Sequence, residues 1–89
     1  MTTLSFTPNL LRHVETPSAP VEGATVQQVL RNYFQINPQI RGYVLDDQGQ
    51  VRKHVAIFVN REPIRDRVGL SDPVQEHDDI FVAQALSGG

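Results

Sequence analysis

The chain has 89 residues, with 8 basic and 10 acidic side chains and no cysteine, and this length allows one domain with one modest core but no deep, enclosed active site. The lack of cysteine excludes a disulfide framework, a thiolate zinc site and a cysteine nucleophile, and the net charge of −2 argues against a nucleic-acid partner held by phosphate contacts. No apolar run approaches the ~20 residues that span a bilayer, so we expect a cytoplasmic domain with no membrane contact that works as a carrier or binding module.

The first part of the chain predicts strands. Apolar and polar residues alternate over residues 4–7, a pattern typical of a half-buried strand. Residues 10–14 fit either a turn or the start of a second strand. The proline-containing stretch 17–23 fits either an edge strand or a loop, because proline cannot donate to a central hydrogen-bond ladder.

The clearest predicted element is a helix near residues 26–36. Its apolar residues recur at helical spacing and form one stripe, and they are Val26, Val29, Leu30, Tyr33 and Phe34. Thr25 followed by Gln28 fits a capping box at the start of the helix. Asn37-Pro38 ends it, because proline disfavours the helical conformation in the residue before it.

The second half of the chain predicts most of a sheet. Two almost continuous apolar runs, at residues 54–60 and 80–86, favour central strands. A turn at residues 46–49 predicts a hairpin whose arms are Tyr43-Val44-Leu45 and Val51. One helix covers only one face of a sheet, so the other face is either open for docking or covered by the loop at residues 61–79, which includes a short edge piece at 62–65.

The sequence ends in Leu86-Ser87-Gly88-Gly89, directly after the last predicted strand. Terminal glycines are common in frayed tails, so the pair alone also fits an incidental tail. Glycine has no Cβ, however, and a Gly-Gly arm can therefore thread a narrow channel. It would present an unhindered carboxylate for activation by ATP in the active site of a partner, with this chain as the substrate.

Together these features resemble the MoaD/ThiS superfamily of ubiquitin-like sulfur carriers. The resemblance rests on the order of the elements, the strand Ala56-Ile57-Phe58-Val59-Asn60, the acidic turn Asp78-Asp79 and the terminal Ser87-Gly88-Gly89. It covers most of the chain and is weakest at residues 10–23. The loop at residues 61–77 looks most like that of the carriers serving amino-acid biosynthesis, especially the cysteine and methionine pathways.

The resemblance implies an α+β fold of the β-grasp (ubiquitin-like) type. The expected architecture is a mixed four- to five-stranded sheet with one main helix, in which the first and last strands pair in parallel at the centre. Residues 1–86 would form the β-grasp domain and residues 87–89 a flexible tail. Many relatives have glycine just before the acidic pair, in a turn that needs positive φ; His77 stands there, and histidine is enriched at positive φ among non-glycine residues.

The resemblance also implies the chemistry of the tail. An E1-like adenylyltransferase would use ATP to adenylate the carboxylate of Gly89, and sulfide or a persulfide would displace AMP and leave a thiocarboxylate. A downstream enzyme would take the sulfur in a pathway of the sulfur amino acid, thiamine or molybdopterin type. Gly88 would give a slim approach, and Ser87 and Leu86 would set the trajectory of the tail. The carrier is expected to bind no cofactor or metal, and a metalloprotease is a further candidate partner, although a chain that ends at Gly89 needs no trimming.

Other side chains fit competing roles less well. The three histidines lie too far apart in sequence for the clustered ligands of a metal site; they are His13, His54 and His77. The pairs Asp46-Asp47 and Asp78-Asp79 fit solvated turn formers better than catalytic carboxylates. A modest basic cluster fits either a solvated loop or docking to an acidic groove, and it consists of Arg52-Lys53, Arg61, Arg65 and Arg67.

Two functions from other classes remain open. The chain could be the small subunit of a larger enzyme such as molybdopterin synthase, with its tail inserted permanently into a catalytic partner. It could also be a plain ubiquitin-like interaction domain whose terminal glycines are incidental and which has no sulfur chemistry.

Overall fold

The computed structural model describes residues 1–6 and 18–84 of the chain. The predictions for residues 10–14 and for the tail at Leu86–Gly89 lie outside the described residues. The elements in chain order are β1 (Thr2–Phe6), β2 (Ala19–Val21), α1 (Val26–Ile36), α2 (Pro38–Val44), β3 (Val55–Val59), β4 (Glu62–Pro63) and β5 (Asp79–Gln84).

The strands form one mixed sheet in the order β2-β1-β5-β3-β4. β1 and β5 are parallel, whereas the other three neighbouring pairs are antiparallel. Leu4 lies opposite Ile80, and Ile80 lies opposite Val59. This arrangement confirms the predicted α+β, β-grasp fold with the first and last strands paired in parallel at the centre. The proline-containing stretch proves to be the edge strand β2.

Helix α1 has the bounds that the sequence predicts, and all five residues of its apolar stripe are buried. Two side-chain hydrogen bonds cap the start of the helix. The Thr25 hydroxyl accepts from the Gln28 backbone N–H at 3.2 Å, and the Gln28 side chain accepts from the Ala24 N–H at 2.9 Å. The Asn37 N–H donates to the Tyr33 carbonyl at 3.0 Å where α1 ends. The local sequence thus fixes both ends of this helix.

Helix α2 corrects one prediction, because Tyr43 and Val44 belong to a helix and not to a hairpin arm. Pro38 occupies the start of α2, where its fixed φ suits a helix. Ile40 and Val44 are one helical turn apart and both fully buried, so they anchor α2 on the core. In place of the expected hairpin, the structure has an isolated antiparallel bridge between Leu45 and Val51. α1 remains the main helix, and α2 is a short addition to the predicted fold.

The hydrophobic core lies between the two helices and one face of the sheet. The largest side chains within it that are below 2% exposure are Leu4, Leu30, Ile40, Ile57 and Ile80. Burying one such side chain contributes roughly 1.5–3 kcal/mol. Since Ile80 belongs to the central strand β5, the strand that leads to the tail is held on both edges by hydrogen bonds and on one face by the core. Among the described residues, no helix is long and apolar enough to cross a membrane.

The loop after β4 packs beside the start of α1. The Leu70 carbonyl accepts from the Gln27 N–H at 2.9 Å, and the Ala24 carbonyl accepts from the Val74 N–H at 2.9 Å. Leu70 and Val74 are buried in the core cluster. The part of the loop that contains Leu70 and Val74 therefore lies on the helix side of the sheet and does not cover the opposite face. Arg61, Pro63 and Asp79, at the two ends of residues 61–79, lie at that opposite face.

Candidate functional site

The tail follows the central strand of the sheet. β5 pairs with β1 on one edge and with β3 on the other, and its last residue, Gln84, lies opposite Val55. The predicted site residues Leu86, Ser87, Gly88 and Gly89 follow directly in the sequence and lie outside the described residues. What the structure defines is the hydrogen-bonded central strand from which they continue.

The sheet face opposite the helices carries an aromatic pair, of which Phe81 is exposed and Phe58 is half-buried. Ser5, Phe81 and Phe58 lie side by side on β1, β5 and β3, and Phe81 is 41% exposed while its neighbours Ile80 and Val82 on the core side are fully buried. We call this the outer face; it comprises Thr3, Ser5, Ala56, Phe58, Pro63, Asp79, Phe81 and Ala83, by strand register.

A shallow depression of about 590 Å³ lies on the outer face, lined by Ser5, Phe58, Arg61, Asp79, Ile80 and Phe81. No helix of the described residues covers it. Sequence reasoning predicted a face but not its residues, since Ile80-Phe81-Val82 is apolar throughout and hides the alternation. The signal that could have found Phe81 is the period-2 rule applied outward from a buried Ile80.

The β3–β4 turn and the turn before β5 are joined through one amide. Asn60 donates from Nδ2 to Oδ1 of Asp78 at 2.9 Å, and its Oδ1 accepts from the Asp79 N–H at 2.9 Å. Asn60 and Arg61 form a two-residue hairpin loop with φ of 50° and 74°, and asparagine is favoured at such positions. The Asn60 hydrogen bond, followed by that from the Gln75 N–H, lowers the pKa of Asp78. Asn60 and Asp78, two of the residues on which the resemblance rests, are therefore in direct contact.

The turn before β5 has the expected backbone conformation, because His77 has a φ of 72°. The Asp78 carboxylate closes this turn by accepting from the Gln75 N–H at 2.8 Å. The Asp78 carbonyl accepts from the Thr3 N–H at 3.0 Å. The departure from glycine at position 77 thus leaves the turn in place, and Asp78 connects it to β1 as well as to β3.

The structure brings together three of the five residues of the predicted basic cluster. Arg67 donates from Nη2 to the carbonyls of Arg52 at 3.0 Å and Val55 at 2.7 Å, so Arg67 lies against the turn that contains Lys53. Arg61 lies in the turn at the opposite end of β3. Arg52, Lys53 and Arg67 therefore share one end of the sheet, and Arg61 does not belong with them.

The competing chemical roles find no support in the described part of the chain. His54 precedes β3 and His77 precedes β5, and since these strands are antiparallel the two histidines lie at opposite ends of the sheet; His13 lies outside the described residues. Within residues 1–6 and 18–84, no group of three His, Cys, Asp or Glu residues is placed to hold a metal ion. Asp46 is a turn former, because its carboxylate accepts from the N–H groups of Gln48 and Gln50.

Known proteins match this chain in sequence profile and in fold. The profile of the ThiS family matches residues 10–89. No curated protein sequence matches the chain. A chain of the Amycolatopsis orientalis BexX/CysO complex is 23% identical, with a TM-score of 0.83 and coverage of 100% of both chains.

Two further solved structures have the same fold. Mycobacterium tuberculosis CysO, described as an antigen, is 24% identical, with a TM-score of 0.81 and coverage of 97% of this chain and 100% of that one. The small archaeal modifier protein 1 of Methanosarcina acetivorans is 22% identical, with a TM-score of 0.81 and coverage of 99% and 95%. At these identities the structural likeness establishes the fold.

Proposed function

The chain belongs to the ThiS family, and from that premise we propose that it is a sulfur carrier whose Gly89 carboxylate is converted to a thiocarboxylate. The observation that carries the proposal is that the family match runs through Gly89, so the Gly-Gly end lies inside the matched region and follows the central strand β5. The chain acts in this scheme as the co-substrate of partner enzymes and supplies no base, metal or nucleophile of its own.

The proposed chemistry has two steps at one carbon atom. An E1-like adenylyltransferase joins a carboxylate oxygen of Gly89 to the α-phosphorus of ATP and releases pyrophosphate. Hydrosulfide then attacks the acyl carbon, a C–S bond forms, the C–O bond to AMP breaks, and AMP leaves with the electron pair. If an enzyme persulfide is the sulfur donor, the product is an acyl disulfide, and a thiol must reduce it to release the thiocarboxylate.

The residues before Gly89 serve access to the partner's active site. Gly88 has no Cβ, so two consecutive glycines allow the walls of a channel to approach the backbone closely. Ser87 and Leu86 connect this slim end to β5 and direct it. A downstream enzyme receives the same tail when it takes the sulfur, and the likeness to two CysO chains supports an acceptor in the cysteine branch of amino-acid biosynthesis.

The outer face is the proposed docking surface for the activating enzyme. Phe81 and Phe58 form an apolar centre, and Arg61 and Asp79 supply polar groups beside it, an arrangement typical of the core and rim of a protein interface. The tail and the outer face share strand β5, so an enzyme that binds Phe81 is placed to receive the residues after Gln84. The complex of a CysO with BexX supports docking of this fold on another protein.

Intact-mass analysis tests the proposal. The chain is incubated with an E1-like enzyme, ATP and sulfide, and the expected product is heavier by the difference between one sulfur and one oxygen. Reactions without ATP, and a variant with one residue added after Gly89, should show no gain. An unchanged mass with an enzyme that converts another carrier under the same conditions would contradict the proposed function.

A further inference from the structure

The turn that precedes β3 lies beside the point from which the tail continues. Val55 is paired with Gln84, and strands lie about 4.8 Å apart with a rise of about 3.3 Å per residue. Residues 52–54 therefore lie within roughly 10–12 Å of the end of β5. An enzyme that binds the tail must therefore come close to this turn.

Hydrogen bonds fix the shape of this turn. The Val55 N–H donates to the Arg52 carbonyl at 3.0 Å, and the Arg67 guanidinium donates to the carbonyls of both residues. The Arg52 side chain donates from Nε to the Gly42 carbonyl at 2.7 Å, which ties the turn to α2. Lys53, the one lysine of the sequence, lies exposed within this braced turn.

These contacts place three cationic residues at one end of a chain whose net charge is −2. We define the basic end as Arg52, Lys53 and Arg67. The carboxylates of Asp46 and Asp66, which flank these segments in sequence, accept backbone hydrogen bonds within their own turns. Arg52 and Arg67 are held by hydrogen bonds to main-chain carbonyls, and the side chains of Lys53 and Arg67 are exposed to a partner.

We propose that the basic end binds an acidic rim around the tail entrance of the activating enzyme. This inference rests on the proposed function and adds the chemistry of the partner surface. Complementary charge accelerates encounter and fixes orientation more than it strengthens the final complex. The basic end would align the tail with the entrance, while the apolar outer face supplies contact area.

Charge reversal at Lys53 is the decisive change, because its side chain is exposed and the described bonds that brace the turn come from Arg52, Val55 and Arg67. In Lys53→Glu, the KM of the E1-like enzyme for the full chain should rise about tenfold at low ionic strength, the lower end of the range for electrostatic steering. The kcat for pyrophosphate release should not change, and Lys53→Gln should give an intermediate KM. High salt should shrink the difference from the unaltered chain, since it screens exposed charges.

The matched control is Arg31→Glu, which makes the same charge change on the exposed side of α1 and should leave KM within about twofold, as expected for a charge outside the interface. Equal effects of Lys53→Glu and Arg31→Glu, or a Lys53→Glu effect that persists unchanged at high salt, would overturn the inference. The dissociation constant of the unmodified chain with the same enzyme, measured without ATP, separates the two proposals. Salt-sensitive binding that Lys53→Glu weakens supports the basic end even if no thiocarboxylate forms.

Discussion

The side-chain amide of Asn60 holds Asp78 and its neighbour at once, with 2.9 Å from Nδ2 to the Asp78 carboxylate and 2.9 Å from Oδ1 to the Asp79 N–H. The Asn60 N–H also donates to the Asp79 carbonyl at 2.8 Å. Three hydrogen bonds of one residue therefore join the end of β3 to the start of β5, across 18 or 19 positions of sequence. This contact explains why an asparagine after the third strand and an acidic residue before the last one occur together in the pattern of this chain.

Replacing Asn60 tests the energetic weight of that contact. Asn60→Ala removes two side-chain hydrogen bonds and places alanine at a φ of 50°, so the free energy of unfolding should fall by about 1–3 kcal/mol. Urea denaturation measures it. Gln35→Ala, at an exposed position of α1, should change the value by less than about 0.5 kcal/mol, and a loss no larger than this at Asn60 would contradict the role assigned to it.

Replacement of glycine by alanine should have opposite effects on stability at Gly23 and Gly42. A Cβ at Gly23 would lie 2.6 Å from Cγ2 and 2.7 Å from the backbone N of Val29, so Gly23→Ala should push the chain away from α1 and cost about 1–3 kcal/mol. A Cβ at Gly42 would meet no atom within 4 Å, so Gly42→Ala should stabilise α2 by about 0.5–1 kcal/mol. Thermal unfolding of both variants checks this, and a shift of the same sign in both would refute it.

The sequence predicted the elements whose side chains repeat regularly. The stripe from Val26 to Phe34, with Thr25 before it and Asn37-Pro38 after it, predicts the bounds of α1, and the apolar runs predict β3 and β5. Helix α2 was missed because its stripe contains only Ile40 and Val44, and because Gly42 and Tyr43 are not strong helix formers. Burial of α2 on the core outweighs this weak propensity, and no local pattern reveals that burial.

The candidate site was predictable only where it depends on the conformation of the local backbone. The resemblance implies a positive φ at His77, where many relatives have glycine, and the structure has it. The grouping of Arg67 with Lys53 and the separation of Arg61 depend on strand register and on long-range hydrogen bonds to carbonyls. Sequence spacing does not contain this information, so the basic cluster was predicted only in part.

The outer face yields a functional prediction. Phe81→Ser should raise the KM of the activating enzyme for this chain about tenfold, the loss of about 1–2 kcal/mol expected for an aromatic residue at the centre of an interface. The control is Val68→Ser, on the loop that packs beside α1. The Val68 side chain is 63% exposed, compared with 41% for Phe81, and its replacement should leave KM unchanged. Equal KM values for the two variants, each with an unfolding curve like that of the unaltered chain, would exclude the outer face as the docking surface.

The loop after β4 should make the fold sensitive to acid through Asp66. The Ser71 hydroxyl and the N–H groups of Gly69 and Ser71 donate to this carboxylate and lower its pKa from 3.8 to about 2. Because the folded-state pKa lies below the unfolded one, the stabilisation is complete above about pH 4 and is lost as the pH falls towards about 2. Asp78 contributes in the same direction.

Asp66→Asn should therefore lower the urea midpoint at neutral pH and flatten its decline between about pH 4 and pH 2, because the amide accepts fewer hydrogen bonds and does not titrate there. Asp47→Asn, at an exposed position in the turn at residues 46–49, should keep the acid dependence of the unaltered chain. Urea midpoints across this range measure both variants. If Asp66→Asn retains the full slope, the carboxylate of Asp66 does not stabilise the loop through its hydrogen bonds to Ser71 and Gly69.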